Sequence, residues 1–367
     1  MVKSVLFSPI QVGPVQISNR FVRSATHDFL AEGDGSVSAR QLELYKNLGQ
    51  GGVGLVITGH AYVHKTGKAS PRQLAVDEDK FIPGLSQLAA TVHEAAAKIF
   101  LQLSHAGRQT NEKICGTQPV APSPVYEPTY KVMPRELSEN EIEEIIQAFV
   151  MAAWRAKQAG FDGIQLHCAH GYLLSSFLSP YTNRRQDQWG GNLENRIRVI
   201  EQILTRIKKS VGGDFPVITK LNSTDYLPGG LQIEEAIEVA SRLEKIGLDG
   251  IEVSGGSAES GRGSMWTGLR NKEDEGYFVA AAAQIKRVVN IPVIGLGGLR
   301  SLEVMEKMVS TGQVDLVAMS RPFIREPDLV TKFAQGQALM ASCISCNKCF
   351  NPRGISCAEL KKKKDLG

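Results

Sequence analysis

The sequence has no long uninterrupted apolar run, and no stretch reaches the roughly 20 residues that a membrane-spanning helix needs. It also lacks an excess of charge of one sign, since 42 basic and 38 acidic residues leave a net charge of +4. So small and dispersed a charge argues against a nucleic-acid partner. We therefore expect a protein that binds neither membranes nor nucleic acid and that resides in the cytoplasm.

Cysteine is scarce and unevenly distributed. Of the six cysteines, Cys115 and Cys168 are isolated, and the other four lie between residues 343 and 357. An extracellular disulfide framework would spread its cysteines more widely, so this distribution also favours the cytoplasm. Hydrophobic content of 42% and charged content of 22% are typical of a globular chain with a substantial core.

Eight short apolar segments, each suited to a buried strand, recur along the chain. They are 21–25, 53–58, 99–103, 163–166, 216–221, 250–254, 291–295 and 314–319. Amphipathic stretches of helical length lie between them, at 89–98, 138–160, 193–209, 233–247 and 278–289. The clearest stretch begins with Ser138 and Glu141, which have the spacing of a capping box. Eight strands that alternate with helices predict an α/β protein, a single (β/α)8 TIM barrel.

One phrase repeats along the chain. Gly160-Phe161-Asp162-Gly163 is echoed by Gly247-Leu248-Asp249-Gly250 and more faintly by Gly312-Gln313-Val314-Asp315. Each copy predicts a helix that ends at glycine and leads into the next strand. The competing architecture is a doubly wound sheet, which would need a G-x-G-x-x-G turn after the first strand. Residues 24–28 do not supply that turn.

The chain is longer than the roughly 250 residues of a typical barrel. Residues 104–137 contain five prolines and follow the third predicted strand, so they predict an insertion that caps the active face. We expect residues 1–340 to form the barrel and residues 341–367 to form a short cysteine-rich tail.

The chemistry of a barrel comes from the C-terminal ends of its strands. The fourth predicted strand ends with His167, His170 and Tyr172, and buried donors of this kind need partners. They predict a site that binds an oxygen atom and supplies a proton. A zinc site on the two histidines is less favoured, because no carboxylate or cysteine at a standard ligand spacing accompanies them and Cys168, which lies between them, would point in a different direction.

Other strand ends predict a bound phosphate and a heteroaromatic ring. Gly297 and Gly298 follow the seventh strand and Arg321 follows the eighth, where barrels commonly bind phosphate. Gln102 offers both donors and an acceptor to a ring edge. Lys220 can either hold an anionic ring position or form an ion pair, for which Glu252 is a candidate partner.

Three longer phrases carry a family resemblance. They are Ile17-Ser18-Asn19-Arg20-Phe21-Val22, Gln102-Leu103-Ser104-His105-Ala106-Gly107-Arg108, and His170-Gly171-Tyr172-Leu173-Leu174 with its continuation through residues 177–196. The chain thereby resembles the Old Yellow Enzyme family of FMN-dependent ene-reductases over about residues 5–335, especially the branch that contains the flavin barrel of 2,4-dienoyl-CoA reductase. The resemblance implies the barrel fold, non-covalent FMN and NAD(P)H as reductant.

The resemblance also implies roles for individual residues. Those implied to hold FMN are Ser24, Ala25, Thr26, Gln102, Lys220, Gly297, Gly298, Ser320 and Arg321. Those implied to act on the substrate are His167 and His170, which bind its carbonyl, and Tyr172, which donates a proton. The implied reaction is ping-pong reduction of the C=C bond of an α,β-unsaturated carbonyl compound, and the implied assembly is a homo-oligomer. The natural substrate and the choice between NADH and NADPH stay open.

The sequence departs from the family pattern at two strand ends. His27 stands where some members have a cysteine or threonine close to the flavin, so no tuning of the flavin by a thiol is expected there. His60 is bulky where a small residue is common.

The tail is a third departure. Cys343, Cys346, Cys349 and Cys357 form C-x2-C-x2-C-x7-C, a set that suits a [4Fe–4S] cluster or zinc. Members that carry the cluster have longer later spacings and further domains downstream. Because no further flavin or nicotinamide domain follows the cysteines in this chain, we expect a zinc-binding or metal-free knot in preference to a cluster.

Two other functions compete with ene reduction. A flavin-free, phosphate-binding barrel aldolase or isomerase could use Lys220 for a Schiff base or for proton transfer, although it would leave the His-His-Tyr set unexplained. An electron-transferring flavin/iron–sulfur subunit of a larger complex would instead use the cysteine tail.

Overall fold

The structure is a computed structural model that describes residues 4–261 and 263–365. The outer ends of the two predicted domains, residues 1–3 and 366–367, lie outside the described residues. The strands are β1 Ile10–Val12, β2 Val15–Ile17, β3 Phe21–Arg23, β4 Leu55–Ile57, β5 Ala61–Tyr62, β6 Lys98–Ser104, β7 Val120–Ala121, β8 Arg135–Glu136, β9 Gly163–Cys168, β10 Val217–Asn222, β11 Gly250–Ser254, β12 Val293–Gly295 and β13 Leu316–Met319.

Helices connect most of these strands. They are α1 Ala39–Gln50, α2 Ile82–His93, α3 Glu112–Cys115, α4 Glu139–Gln158, α5 Leu173–Leu178, α6 Leu193–Val211, α7 Ile233–Lys245, α8 Val279–Lys286, α9 Leu302–Ser310, α10 Arg321–Arg325, α11 Leu329–Ala334 and α12 Ala358–Asp365. Short 3-10 turns lie at Val5–Phe7, Lys65–Gly67, Asp79–Phe81 and Lys272–Asp274. None of the helices in the described part of the chain is both long and apolar enough to cross a membrane.

Eight parallel strands close into a barrel. They pair in the order β3, β4, β6, β9, β10, β11, β12 and β13, and β13 pairs with β3 to complete the ring. Each lies within one of the eight predicted segments or extends it by one or two residues, so the predicted (β/α)8 TIM barrel is confirmed. The hairpin β1–β2 places Val12 and Ile17 against the apolar residues inside the barrel, among them Phe100 and Ile218.

Helix α4 begins as its sequence predicts. The Ser138 side chain accepts a hydrogen bond from the backbone N–H of Glu141, whose carboxylate accepts one from the N–H of Ser138. The prediction of a helix at 89–98 is wrong in its bounds, since α2 spans Ile82–His93 and residue 98 begins β6. Pro83 lies in the first turn of α2, where its missing N–H costs nothing.

The repeated phrase, in which an aspartate follows a glycine by two or three residues, has a structural role at the N-terminal ends of the strands. Gly160, Gly247 and Gly312 have φ values of 79°, 97° and 72°, which only glycine adopts readily at a helix end. The aspartates that follow are Asp162, Asp249 and Asp315, and each one's carboxylate accepts the N–H of the first or second residue of the neighbouring strand, at 2.9, 2.7 and 2.8 Å. A lysine also bonds each of these carboxylates. The phrase therefore fixes strand pairing as well as helix ends.

Replacing Asp249 with alanine tests this role. The backbone N–H of Val217, a fully buried residue, then loses its acceptor. An unsatisfied buried donor costs about 1–3 kcal/mol, so we expect the free energy of unfolding to fall by about that amount. Urea denaturation measures the change. The matched control is Asp214→Ala, which removes an exposed partner of Lys157 and should shift the midpoint much less; equal shifts would contradict the proposed role of Asp249.

Candidate active site

The C-terminal ends of the barrel strands surround a cavity of about 360 Å³. This volume is in the range of small-molecule and cofactor sites. All twelve residues predicted to bind cofactor or substrate line it: Ser24, Ala25, Thr26, Gln102, His167, His170, Tyr172, Lys220, Gly297, Gly298, Ser320 and Arg321. Closure of the barrel thus brings together residues that are as much as 297 positions apart.

The two histidines and the tyrosine share one wall of the cavity. The ring centroids of His167 and Tyr172 are 4.5 Å apart, and those of His167 and His170 are 5.3 Å apart. Within the described residues, Nδ1 of His167 is buried and has no hydrogen-bond partner. A buried polar atom without a partner at a cavity wall is suited to bind a ligand atom.

Burial keeps these groups uncharged. Desolvation is the main cause that lowers the pKa of His170 to about 3, and it also lowers the pKa of His167 well below the usual value. Burial raises the pKa of the Tyr172 phenol, with a smaller contribution from Tyr130. At neutral pH the wall therefore presents two neutral imidazoles, each with one N–H, and one protonated phenol.

His170 is held by contacts from three directions. Its φ of 64° is unusual for a residue with a side chain. The backbone N–H donates to Asn222 Oδ1 at 3.1 Å, and the carbonyl accepts from Gln109 Nε2 at 2.5 Å. The ring Nε2 lies 2.7 Å from Ser254 Oγ. These contacts hold the imidazole ring of His170 in place, although His170 lies in the loop after β9.

A buried polar network lies at the floor of the cavity. The carboxylate of Glu252 accepts from Ser24 Oγ at 2.6 Å and from Gln165 Nε2 at 2.7 Å, and it lies 3.4 Å from Lys220 Nζ. Gln165 in turn accepts from Gln102 Nε2 at 2.7 Å. Lys220 therefore has the predicted ion-pair partner and also faces the cavity. Desolvation lowers the pKa of Lys220, and the charge of Glu252 opposes that effect.

Gly297, Gly298 and Arg321 lie together at the end of the cavity where a phosphate is predicted. Gly297 and Gly298 have φ values of 124° and 70°, and a Cβ on Gly297 would come 2.8 Å from the backbone nitrogen of Tyr277. Arg321 Nη1 donates to the carbonyl of Trp266 at 2.8 Å and also contacts Asn347. The guanidinium of Arg321 is thus anchored beside Gly297 and Gly298. The backbone can approach this closely only because these residues are glycines, which have no Cβ.

Several cavity residues were not among the predicted ones. They include Phe29, Ser70, Gln109, Tyr130, Ser254, Met265, Tyr277, Ser345 and Phe350, together with His27 and His60, which the sequence marked only as departures. Tyr130 lies within residues 104–137, the predicted capping insertion, where the chain folds back between Glu127 and Val132. Insertions have no periodic pattern, so no local signal identifies such residues.

All four tail cysteines line a second, small cavity of about 20 Å³ next to Arg321. In the ranges 4–261 and 263–365, no three His, Cys, Asp or Glu side chains lie close enough together to hold one metal ion. A zinc-binding or metal-free knot stays a prediction. Ser345 and Phe350 of the same segment reach the large cavity.

The fold and the site together define a class of protein: a (β/α)8 barrel with a cofactor-sized cavity at the C-terminal ends of its strands. A model of the NADH:flavin oxidoreductase / NADH oxidase family matches residues 5–339. The chain belongs to this family, and the predicted relationship to Old Yellow Enzyme, with FMN and NAD(P)H as cofactor and reductant, is confirmed.

Similar proteins agree with this assignment. NADH oxidase of Thermoanaerobacter brockii is 45% identical over 346 residues, which are 93% of this chain and 52% of that protein. The solved 2-naphthoyl-CoA reductase complex is 33% identical with a TM-score of 0.88, over 94% of this chain and 54% of that one. The Old Yellow Enzyme homologue from Zymomonas mobilis is 25% identical with a TM-score of 0.81, over 96% and 97%. The chain thus spans about half the length of the first two and nearly all of the third.

The cavity residues fit FMN. The floor offers Gln102 and Lys220 to the polar edge of a ring, and the glycine-arginine end offers a cation and closely approaching backbone to a phosphate. A flavin-free aldolase or isomerase is not supported, since the chain belongs to a flavin oxidoreductase family.

The proposed phosphate contact can be separated from structural damage. Replacing Arg321 with alanine should weaken FMN binding at least about tenfold, because a charge-assisted hydrogen bond is lost. Riboflavin, which has no phosphate, should bind the variant and the unchanged protein alike. Fluorescence titration of both flavins into apoprotein measures the difference.

A matched control for this experiment is Arg325→Ala. Arg325 lies on the same helix and bonds Ser342 and Cys357 of the tail, but it does not line the large cavity. FMN affinity should be nearly unchanged in this variant. Equal weakening of FMN and riboflavin by Arg321→Ala would contradict a phosphate contact.

Proposed function

We propose that this chain is the catalytic barrel of an NAD(P)H-dependent ene-reductase, which reduces the C=C bond of α,β-unsaturated carbonyl compounds in a ping-pong reaction. The observation that carries the proposal is the shared cavity wall of His167, His170 and Tyr172. Two neutral imidazoles and one phenol lie side by side there, with the ring centroid of His167 4.5 Å from that of Tyr172 and 5.3 Å from that of His170. Binding a carbonyl oxygen and protonating a neighbouring carbon need such a set.

The residues that line the cavity have different roles in this reaction. When bound, FMN supplies the hydride, taken from NAD(P)H, that goes to the β-carbon of the substrate. His167 and His170 donate hydrogen bonds to the substrate oxygen and stabilise the negative charge that develops on it, which can contribute several kcal/mol. Tyr172 gives its phenolic proton to the α-carbon as general acid. Lys220 and Gln102 hold the ring from the floor.

Two features support a conjugated, uncharged substrate head group. The imidazoles that face it are neutral, and the cation nearest to the floor, Lys220, is paired with Glu252. One structural relative is named for 2-naphthoyl-CoA, a conjugated thioester. Conjugation with a carbonyl is the property that lets an oxygen-binding site activate a carbon–carbon double bond.

An electron-transferring subunit of a larger complex is the second candidate. Ser345 and Phe350 of the cysteine segment line the flavin cavity, and Arg321 contacts both sides. A redox group on the cysteines would therefore lie next to the flavin. This candidate predicts negligible turnover of a simple enone and a stable complex with a partner.

Replacing Tyr172 with phenylalanine tests the first candidate. Reduction of the flavin by NADPH should proceed, because the phenol has no part in that step. Oxidation of the reduced enzyme by cyclohexenone should slow by about 100-fold or more, the usual contribution of a general acid. Stopped-flow absorbance at the flavin band measures the two half-reactions separately.

Tyr62→Phe serves as the control for this experiment. It removes the hydroxyl of a buried tyrosine, whose partner is the carbonyl of Asp34, outside the cavity. Both half-reactions should keep their rates in this variant. If Tyr172→Phe slowed the two half-reactions equally, Tyr172 would not be the proton donor.

A further inference from the structure

His60 lies in the cavity wall directly behind the proposed proton donor. Its Nε2 is 3.4 Å from the hydroxyl oxygen of Tyr172, and the two ring centroids are 5.1 Å apart. Its Nδ1 lies 2.7 Å from Gln73 Nε2 and 3.0 Å from Ser104 Oγ. The side chain is 5% exposed. His60, which is bulky where a small residue is common in the family, is therefore in contact with Tyr172.

The orientation of the Gln73 amide is fixed by two other hydrogen bonds. The backbone N–H of Ala69 donates to Gln73 Oε1 at 2.6 Å, so this atom must be the oxygen. Gln73 Nε2 donates to the carbonyl of His60 at 3.1 Å, which requires the nitrogen on the other side. Gln73 is fully buried, so water does not compete for these hydrogen bonds. The atom that faces His60 Nδ1 is therefore a donor.

This donor determines which nitrogen of His60 carries the proton. An imidazole nitrogen that accepts a hydrogen bond has no proton of its own, so the proton of neutral His60 is on Nε2. Nε2–H then donates to the hydroxyl oxygen of Tyr172. The distance of 3.4 Å is long for a hydrogen bond, and such contacts commonly shorten when substrate binds.

The charges around His60 favour its neutral form. Burial, the larger cause, and the charge of Lys220 lower the pKa of His60 to about 4. The other titratable groups that face it are His27 with a ring separation of 4.7 Å, His167 at 6.1 Å, and Tyr172. None of these three is an anion at neutral pH, so no carboxylate among them stabilises an imidazolium.

We propose that His60 is a positioning residue for Tyr172: its Nε2–H bonds the phenol oxygen, turns the phenolic proton toward the substrate, and stabilises the phenolate that remains after proton transfer. The proposal rests on the proposed function of Tyr172. In that step the O–H bond of Tyr172 breaks while a C–H bond forms at the α-carbon, which supplies the electron pair. The phenolate later takes a proton from water. Burial alone would make Tyr172 a poorer acid, and the His60 bond offsets that effect.

The first experiment measures the tautomer and does not depend on turnover. The holoenzyme is labelled with ¹⁵N-histidine, and the His60 signals are assigned by their loss in His60→Gln. We expect the proton on Nε2, and we expect Tyr172→Phe to shift that Nε2 resonance more than any other in the wall. A proton on Nδ1 of His60, or an Nε2 resonance that does not shift in Tyr172→Phe, would overturn the proposal.

The second experiment compares two replacements of His60. Methionine has a similar volume and no donor, whereas the terminal amide of glutamine can place an N–H near the position of Nε2. His60→Met should slow the enone half-reaction at least about tenfold, as expected when a hydrogen bond to a charged acceptor is lost. His60→Gln should recover most of that rate. Equal losses of rate in His60→Met and His60→Gln would contradict the proposed positioning role of His60. Equal losses in the two half-reactions would contradict it as well.

His64→Met is the matched control, because His64 lies just after β5, which His60 directly precedes, and bonds Thr66 outside the cavity. The rate of the enone half-reaction should also show no break between pH 5 and 8, since His60 stays neutral in that range. A break near pH 6.5 that disappears in His60→Gln would overturn the assigned proton position.

An enzyme that reduces no enone at all would refute the proposed function, while the labelled spectra would still decide the His60–Tyr172 contact.

Discussion

The buried carboxylate of Glu252 is the interaction on which the cavity floor depends. It is fully buried and joins Ser24 after β3, Gln165 on β9 and Lys220 on β10. Removing one partner of a buried, hydrogen-bonded ion pair typically costs about 3–5 kcal/mol, because the other charge is left without compensation. The pair therefore holds Lys220 at the floor and, through Gln165, also orients Gln102. One carboxylate thus positions both groups that are proposed to face the flavin ring.

The charge of Lys220 also contributes to the neutral state of the histidines in the cavity wall, in addition to burial. Lys220 lowers the pKa of His60, His167 and His170 further, in the same direction as burial. The histidines consequently donate hydrogen bonds without carrying charge in the resting enzyme. A site of this kind interacts more strongly with an oxygen that becomes negative during the reaction than with a neutral carbonyl, which is the condition for catalysis.

The sequence could predict what is encoded locally. Each barrel strand is a short apolar run, and the repeated glycine–aspartate phrases mark helix ends, so the fold followed from patterns within about 20 residues. The convergence of Gln102, Lys220 and Arg321 also followed, because parallel strands of a closed barrel end on one face. The bounds of α2 were predicted wrongly at both ends, since the helix already begins at Ile82, with Pro83 in the first turn where proline is tolerated, and ends at His93.

Contacts between distant loops could not be predicted in this way. Gln73 fixes the tautomer of His60 through a bond with the backbone of Ala69, and no sequence pattern relates these three positions to Tyr172. Tyr130 reaches the cavity from an irregular insertion, and Ser345 reaches it from the cysteine segment. In each case the position depends on how loops pack over the barrel mouth, and packing between loops has no periodicity to detect.

The expectation for the cysteine segment rested on the absence of a further domain after it. This chain spans only about half the length of two of its relatives, so the absence of a further domain after the cysteines carries no weight. The packing supports a different argument. Arg321 lines both the flavin cavity and the cavity of the four cysteines, and it donates to the carbonyl of Ser345. One guanidinium therefore joins the cysteine segment to the end of the cavity where a phosphate is proposed, whatever the cysteines bind.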